Sequence, residues 1–147
     1  MLKSRRAIVI EGGREGGQVI SMRRESSITT LAANGAINAD QVCAAFRFRN
    51  AWLITMEATR ESVGFDEWRA PAGPGADVMA KRQEASETLA NARSLVGAYA
   101  YGLMCRVCGE GYSINELYGP RRAKETHIDI LKIHLAMLAR AWGMVIA

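Results

Sequence analysis

Arg121, Arg122, Lys124, Thr126 and His127 follow directly on Gly119-Pro120 in the last third of the chain. Cations at this density suit phosphate oxygens, and the Thr126 hydroxyl and His127 imidazole are groups that reach base edges. A basic helix start after a tight turn is where a recognition helix carries its phosphate-holding and base-reading side chains. Of the 19 basic residues 15 are Arg, whose planar fork pairs bidentately with phosphate or guanine, although a GC-rich coding sequence gives the same bias. The competing reading is an ordinary solvated helix start. The helix dipole disfavours cations at this end, so their presence there calls for a reason, and the turn-and-helix grammar favours recognition.

Other chemistry-bearing residues lead less far. Cys105 and Cys108 form a Cys-x-x-Cys pair with no second pair after it, so four-coordinate zinc would have to recruit Cys43, His127 or His134 from distant segments. Small buried apolar groups are the default role for such cysteines, and no βαβ pattern supports redox chemistry. His127 and His134 are seven apart and share one flank of a helix, which suits a phosphate-contacting face or ordinary boundary positions. The loop Gly12-Gly13-Arg14-Glu15-Gly16-Gly17 lacks the Gly-Lys-Ser/Thr ending and the following helix of a phosphate loop. No carboxylate pair or nucleophile and base stand at a recognisable spacing. The expectation is therefore no enzyme, no cofactor and no metal.

Charge distribution points the same way. The net +4 is concentrated at the ends: residues 1–24 hold six basic and two acidic groups, and residues 119–147 hold five and two, while the middle is slightly acidic. Arg5, Arg6, Arg14, Arg23 and Arg24 make the first segment a second candidate DNA contact. With 147 residues, 49% hydrophobic and 23% charged, the chain has the composition of one packed domain and not of a disordered or collagen-like protein. Its apolar runs fall short of a membrane span, and Ala7 to Ile10 is too short for a signal-peptide apolar region. Three cysteines argue against a secreted disulfide framework. A cytoplasmic protein is expected.

These groups need elements to hold them. Residues 1–24 read as a basic, glycine-rich arm, with Ala7-Ile8-Val9-Ile10 and Gln18-Val19-Ile20-Ser21-Met22 as the strands of a short β-hairpin. Ser26 or Ser27 caps a short helix that stops at Asn34-Gly35. Asn38 opens a long helix to about Arg60, with Val42, Ala45, Phe46, Arg49, Leu53 and Met56 as its apolar positions. A Pro- and Gly-rich connection follows, anchored on the core by Phe65 and Trp68. Asp77 starts one continuous helix through Leu89, Leu95, Val96, Tyr99, Leu103 and Val107, ended by Gly109-Glu110-Gly111. Ser113 and Glu116 form a capping box on a short helix from Ile114 to Tyr118, and Pro120 opens the last helix, from Arg121 to about Trp142.

That last helix carries two apolar stripes. Ile128, Leu131, Leu135, Leu138 and Trp142 make the core face. Ile130, Ile133, Met137, Ala141 and Met144 lie about 130° further round at about 100° per residue. The second stripe is either buried in the same chain, the favoured reading, or a homodimer seam of the kind used to read two half-sites.

From about Arg23 to Gly143 the chain resembles a family of helical domains of unknown function from alphaproteobacteria and their phages. The resemblance rests on Arg24-Glu25-Ser26, Ala44-Ala45-Phe46-Arg47-Phe48-Arg49, Glu67-Trp68-Arg69-Ala70-Pro71, Arg122-Ala123-Lys124 and Leu138-Ala139-Arg140-Ala141-Trp142-Gly143. Members look like transcriptional regulators and include part of the activators of gene transfer agents, which are domesticated phage-like particles. The resemblance implies a transcription factor working near RNA polymerase with a DNA-bending partner. It supplies no catalytic residues and matches neither the Cys-x-x-Cys pair nor the arm.

The sequence thus predicts an all-α domain of about five helices over residues 25–147, with a carboxy-terminal helix-turn-helix and the basic arm before it. The expected function is sequence-specific binding of double-stranded DNA to activate phage-derived or gene-transfer-agent genes. The alternative is a protein-interaction module that docks on RNA polymerase or a phage component.

Overall fold

A computed structural model describes residues 27–64 and 75–144, which form five helices and no strand. The arm with Arg5, Arg6, Arg14, Arg23 and Arg24, and the connection holding Phe65 and Trp68, lie outside the described residues. The helices are α1 (Ser27–Ala33), α2 (Ala39–Gly64), α3 (Ala76–Met104), α4 (Ile114–Leu117) and α5 (Arg121–Ala141), with a π-helical turn, Cys105–Glu110, running on from α3. The long helices α2, α3 and α5 pack pairwise around one core, the π turn and α1 close against them, and α4 rests on α5.

Local chemistry accounts for most boundaries. After α1 the Gly35 N–H bonds to the Ala32 carbonyl at 3.1 Å and the Ala36 N–H to the Leu31 carbonyl at 2.9 Å, which satisfies two end carbonyls and stops the helix at Asn34-Gly35. Ser27 does not act through a cap: its buried hydroxyl lies 2.7 Å from the Tyr112 carbonyl oxygen and 3.1 Å from that of Gly111, tying α1 to the chain after the π turn. Asn38 caps α2 reciprocally with Gln41, whose N–H donates to Oδ1 at 2.9 Å while its Oε1 accepts from the Asn38 N–H at 2.7 Å. The Gln41 amide also donates to the Lys132 carbonyl at 2.9 Å and fastens the start of α2 to the middle of α5.

The buried face of α2 is Gln41, Ala44, Ala45, Phe48 and Ala51; of the expected Val42, Ala45, Phe46, Arg49, Leu53 and Met56 only Ala45 is fully buried, with Val42 packed partly on the core. Phe46 is exposed, and Phe48 is fully buried edge-to-face against Tyr101 with ring centroids 5.7 Å apart. Alanines at 44 and 45 let neighbouring backbones come close, so the smaller stripe turns inward and the single large Phe48 fills the remaining space.

The expected single helix over 77–107 is broken twice. Gly97 sits at φ 90°, ψ 163°, a conformation essentially confined to glycine, and kinks α3 there. Of the residues expected on the apolar face, Leu89, Leu103 and Val107 are buried, whereas Leu95 before the break and Tyr99 after it are exposed. The chain then widens into the π turn, where a Cβ on Gly109 would come within 2.7 Å of the Trp52 indole, so only glycine fits. Arg49 from α2 donates to the Cys108 and Gly109 carbonyls at 2.9 and 3.1 Å, covering acceptors at the end of the turn.

Helix α5 follows expectation on its inner side. Leu131, Leu135 and Leu138 are buried, each contributing about 1.5–3 kcal/mol of transfer free energy. Trp142 closes that stripe, with the Arg47 guanidinium 4.6 Å from its ring centroid and its indole N–H donating to Asn91 Oδ1 at 2.9 Å. The second stripe is not buried as favoured: Ile133 is 59% exposed and Met137 37%, with only Ile130 and Met144 packed partly on the core. Helix α5 lies on the outside of the bundle, so α2 and α3 cover one side of it.

Candidate nucleic-acid interface

Helices α4 and α5 are joined by Tyr118-Gly119-Pro120, and their amino termini differ. On α4 the capping box is complete: the Ser113 hydroxyl accepts from the Glu116 N–H at 3.1 Å and the Glu116 carboxylate from the Ser113 N–H at 2.8 Å. On α5 Pro120 is the N-cap and no side chain caps the helix. The intrahelical ladder begins with Lys124 N–H on the Pro120 carbonyl at 3.0 Å, so the N–H groups of the preceding turn have no helical acceptor. Those donors and the positive end of the dipole form an anion-attracting surface beside the basic side chains.

Arg121 and Arg122 project into solvent, Lys124 is half-buried and Thr126 is exposed. The Arg121 Nε pairs with Glu125 at 3.1 Å, but the side chains are 89% and 64% exposed, and such a pair is worth only about 0.3–0.5 kcal/mol. Breaking that pair costs the protein little. At about 100° per residue Arg122 and Thr126 share the outer face of α5, opposite the core leucines.

His127 has a different place from the others. Its Nδ1 lies 2.7 Å from the Ala123 carbonyl one turn back, so in the neutral ring Nδ1 carries the proton and Nε2 accepts from the Tyr99 hydroxyl. The ring is stacked on Tyr118 with centroids 3.8 Å apart and 14° between planes. Both nitrogens are therefore engaged within the protein, and His127 bolts the start of α5 to α3 and to the α4–α5 turn. It orients this surface and does not extend from it. His134 bonds the Ile130 carbonyl at 2.8 Å in the same way, through Nδ1.

Two neighbours of this surface are invisible to sequence periodicity. Tyr99, placed by the Gly97 kink, and Arg106, on the π turn, line with Gly102 and Tyr118 an open depression of about 340 Å³. Burial and the nearby Tyr99 push the Tyr118 phenol above its usual range, and the Arg106 charge opposes this, which puts Arg106 close to the α4–α5 turn. The only advance signal for this arrangement is glycine at 97 and 102 inside an otherwise helical run.

The cysteines stand apart. Cys108 is fully buried and its thiol is pushed up to about 12 by desolvation, so it is a small apolar group at neutral pH. Cys105 is half-buried with its thiol also raised by burial, and Cys43 is exposed. Among the described residues no three His, Cys, Asp or Glu side chains gather as metal ligands, and no helix is long and apolar enough to cross a membrane. Comparison with family models, with characterised proteins and with solved structures finds no match to this chain.

Proposed function

We propose that this chain is a sequence-specific, double-stranded-DNA-binding transcriptional regulator, with α4, the turn and α5 as a helix-turn-helix and α5 as its recognition helix. The observation that carries the reading is the contrast between the two helix starts. Helix α4 satisfies its end with its own capping box, whereas α5 leaves its first N–H groups uncapped beneath Arg121, Arg122 and Lys124. An open, cation-flanked helix end is costly for the isolated protein and favourable against a phosphate backbone. Arg121 and Lys124 hold phosphates, and Arg122 and Thr126, on the outer face, meet base edges. His127, Tyr118 and Tyr99 fix the angle at which α5 is presented.

Arg5, Arg6, Arg14, Arg23 and Arg24 add phosphate or minor-groove contacts from the arm. By the resemblance stated above, the regulated genes are phage-derived or belong to a gene transfer agent, and the regulator works beside RNA polymerase with a DNA-bending partner. The rival is a protein-interaction module docking on RNA polymerase or a phage component.

Fluorescence anisotropy with duplex DNA over a salt series separates the two. The proposal expects a log–log slope corresponding to several displaced counterions, because each phosphate neutralised contributes about 0.9 to it. Absence of binding to any duplex recovered by genomic selection, together with salt-insensitive capture by polymerase, overturns the proposal in favour of the interaction module.

A further inference from the structure

On the outer face of α5, Ile130, Ile133, Met137, Arg140 and Met144 recur at alternating intervals of three and four, the spacing of a two-helix seam. Ile133 and Met137, at its centre, are 59% and 37% exposed, which is costly for an isolated helix surface. Two charges flank them: Asp129 and Arg140 are both exposed, and neither forms an ion pair among the described residues.

We propose that this face binds the same face of a second copy, with the two α5 helices antiparallel about a two-fold axis near Leu135. In this register Ile133 meets the partner's Met137 and Met137 meets the partner's Ile133. Arg140 lies over the partner's Ile130 with its guanidinium beside the partner's Asp129, and the symmetric pair repeats at the other end. Charge fixes both the occupant and the direction. A parallel pair would set Arg140 against Arg140 and Asp129 against Asp129, whereas the antiparallel pair places opposite charges together at both ends. A single chain thus supplies both the apolar stripe and its complementary rim.

The register also fixes how far the helices overlap. Ala141, the last residue of α5, falls opposite the partner's Asp129, so the seam spans 129–141 and residues 121–128 project beyond the partner's end. The seam leaves Arg121, Arg122, Lys124 and Thr126 uncovered. At about 1.5 Å rise per residue the two basic starts stand about 40 Å apart, comparable with half-sites one DNA turn apart. That match bears on the DNA-binding reading, but the seam does not rest on it. A seam this short buries less than a standard interface, so the association is reversible and depends on concentration.

Sedimentation velocity of the full chain without DNA, from micromolar to near-millimolar concentration, tests the seam separately from DNA binding. The wild type should show a monomer–dimer equilibrium. Ile133→Asp should weaken it by at least about tenfold with unchanged helicity, since the side chain is already largely exposed. Asp129→Arg alone should also weaken it by placing two arginines together, and Asp129→Arg with Arg140→Asp should restore it. A parallel pair would not be restored by that double change, because like charges would still face each other. A wild type that stays monomeric throughout, a dimer indifferent to Ile133→Asp, or a double variant no better than the single one overturns the proposal.

Discussion

The limb formed by α3 and the π turn and the final helix α5 are both long, and they treat glycine in opposite ways. Helix α5 runs 21 residues with its first glycine, Gly143, beyond its end, where Gly143 N–H bonds the Arg140 carbonyl at 3.2 Å and Met144 N–H the Ala139 carbonyl at 2.8 Å. The other limb carries Gly97, Gly102 and Gly109 inside it, kinks at the first and widens into a π turn around the last. An uninterrupted helix keeps one phase, so its inner and outer faces are fixed along its whole length. The broken one departs from helical backbone at Gly97 while burying residues on both sides of it, Leu89 and Ala92 before and Leu103 and Met104 after, and it sets Tyr99 and Arg106 beside the α4–α5 turn and the α5 start. The straight helix presents groups, and the bent limb orients it.

The sharpest test of that contrast compares the two faces of α5. Leu135→Ala, on the buried side, should cost about 2–5 kcal/mol. Ile133→Ala on the exposed side of the same helix should stay within about 0.5 kcal/mol for the monomer in dilute solution. Chemical denaturation measures both, and similar losses would mean that the outer face is covered in the monomer.

On the bent limb, Gly97→Ala should destabilise by about 1–3 kcal/mol, because no other residue sits easily at φ 90° with ψ near 163°. Nothing lies within 4 Å of the added methyl, so the loss would come from backbone strain and not from a clash. A neutral substitution would show that α3 straightens freely and that the Tyr99 contact with His127 is dispensable.

The same limb should give the protein an alkaline weakness that α5 lacks. Burial raises the Cys108 thiol from 9.0 to about 12, and burial also raises Cys105 and Tyr101 on the same limb. Below pH 9 both native and unfolded chains hold the Cys108 proton. As pH rises from there toward 12 the unfolded chain releases it while the native chain keeps it, so stability falls, by at most about 1.4 kcal/mol per pH unit for one proton. Cys108→Ala should flatten the decline without abolishing it, since the other raised groups act in the same direction. Melting curves from neutral to high pH check this, and identical slopes in both proteins would contradict it.

How much was legible in the sequence follows from this contrast. The inner stripe Leu131, Leu135 and Leu138, the α4 capping box and the stops at Gly35 and Gly143 all depend on residues within a turn or two of one another, and each is found where local chemistry puts it. What the spacing missed depends on distant chain. Phe48 replaced Phe46 in the core because Ala44 and Ala45 allow close packing, which no single-helix periodicity reports. Ser27 looked like a cap and instead holds the chain after the π turn, 85 residues away. The basic α5 start was legible as a cluster of types. That His127 faces Tyr99 and Tyr118 was not, because the kink that brings Tyr99 there comes from one glycine whose effect lies in the backbone.

The central claim is that the start of α5 holds DNA, and one measurement bears on it most directly: the salt dependence of operator affinity for the wild type and for Arg122→Ala with Lys124→Ala. Arg122 is exposed on the outer face, and Lys124, half-buried one heptad before Leu131, lies along the leucine stripe at the helix start, so the helix should persist with a modest fall in melting temperature. Binding should weaken, with a salt slope reduced by about one for the phosphate contact of Lys124, while the loss of Arg122 at a base edge lowers affinity and relaxes sequence preference. An unchanged affinity and slope in a folded variant would remove α5 from the DNA interface and contradict the account.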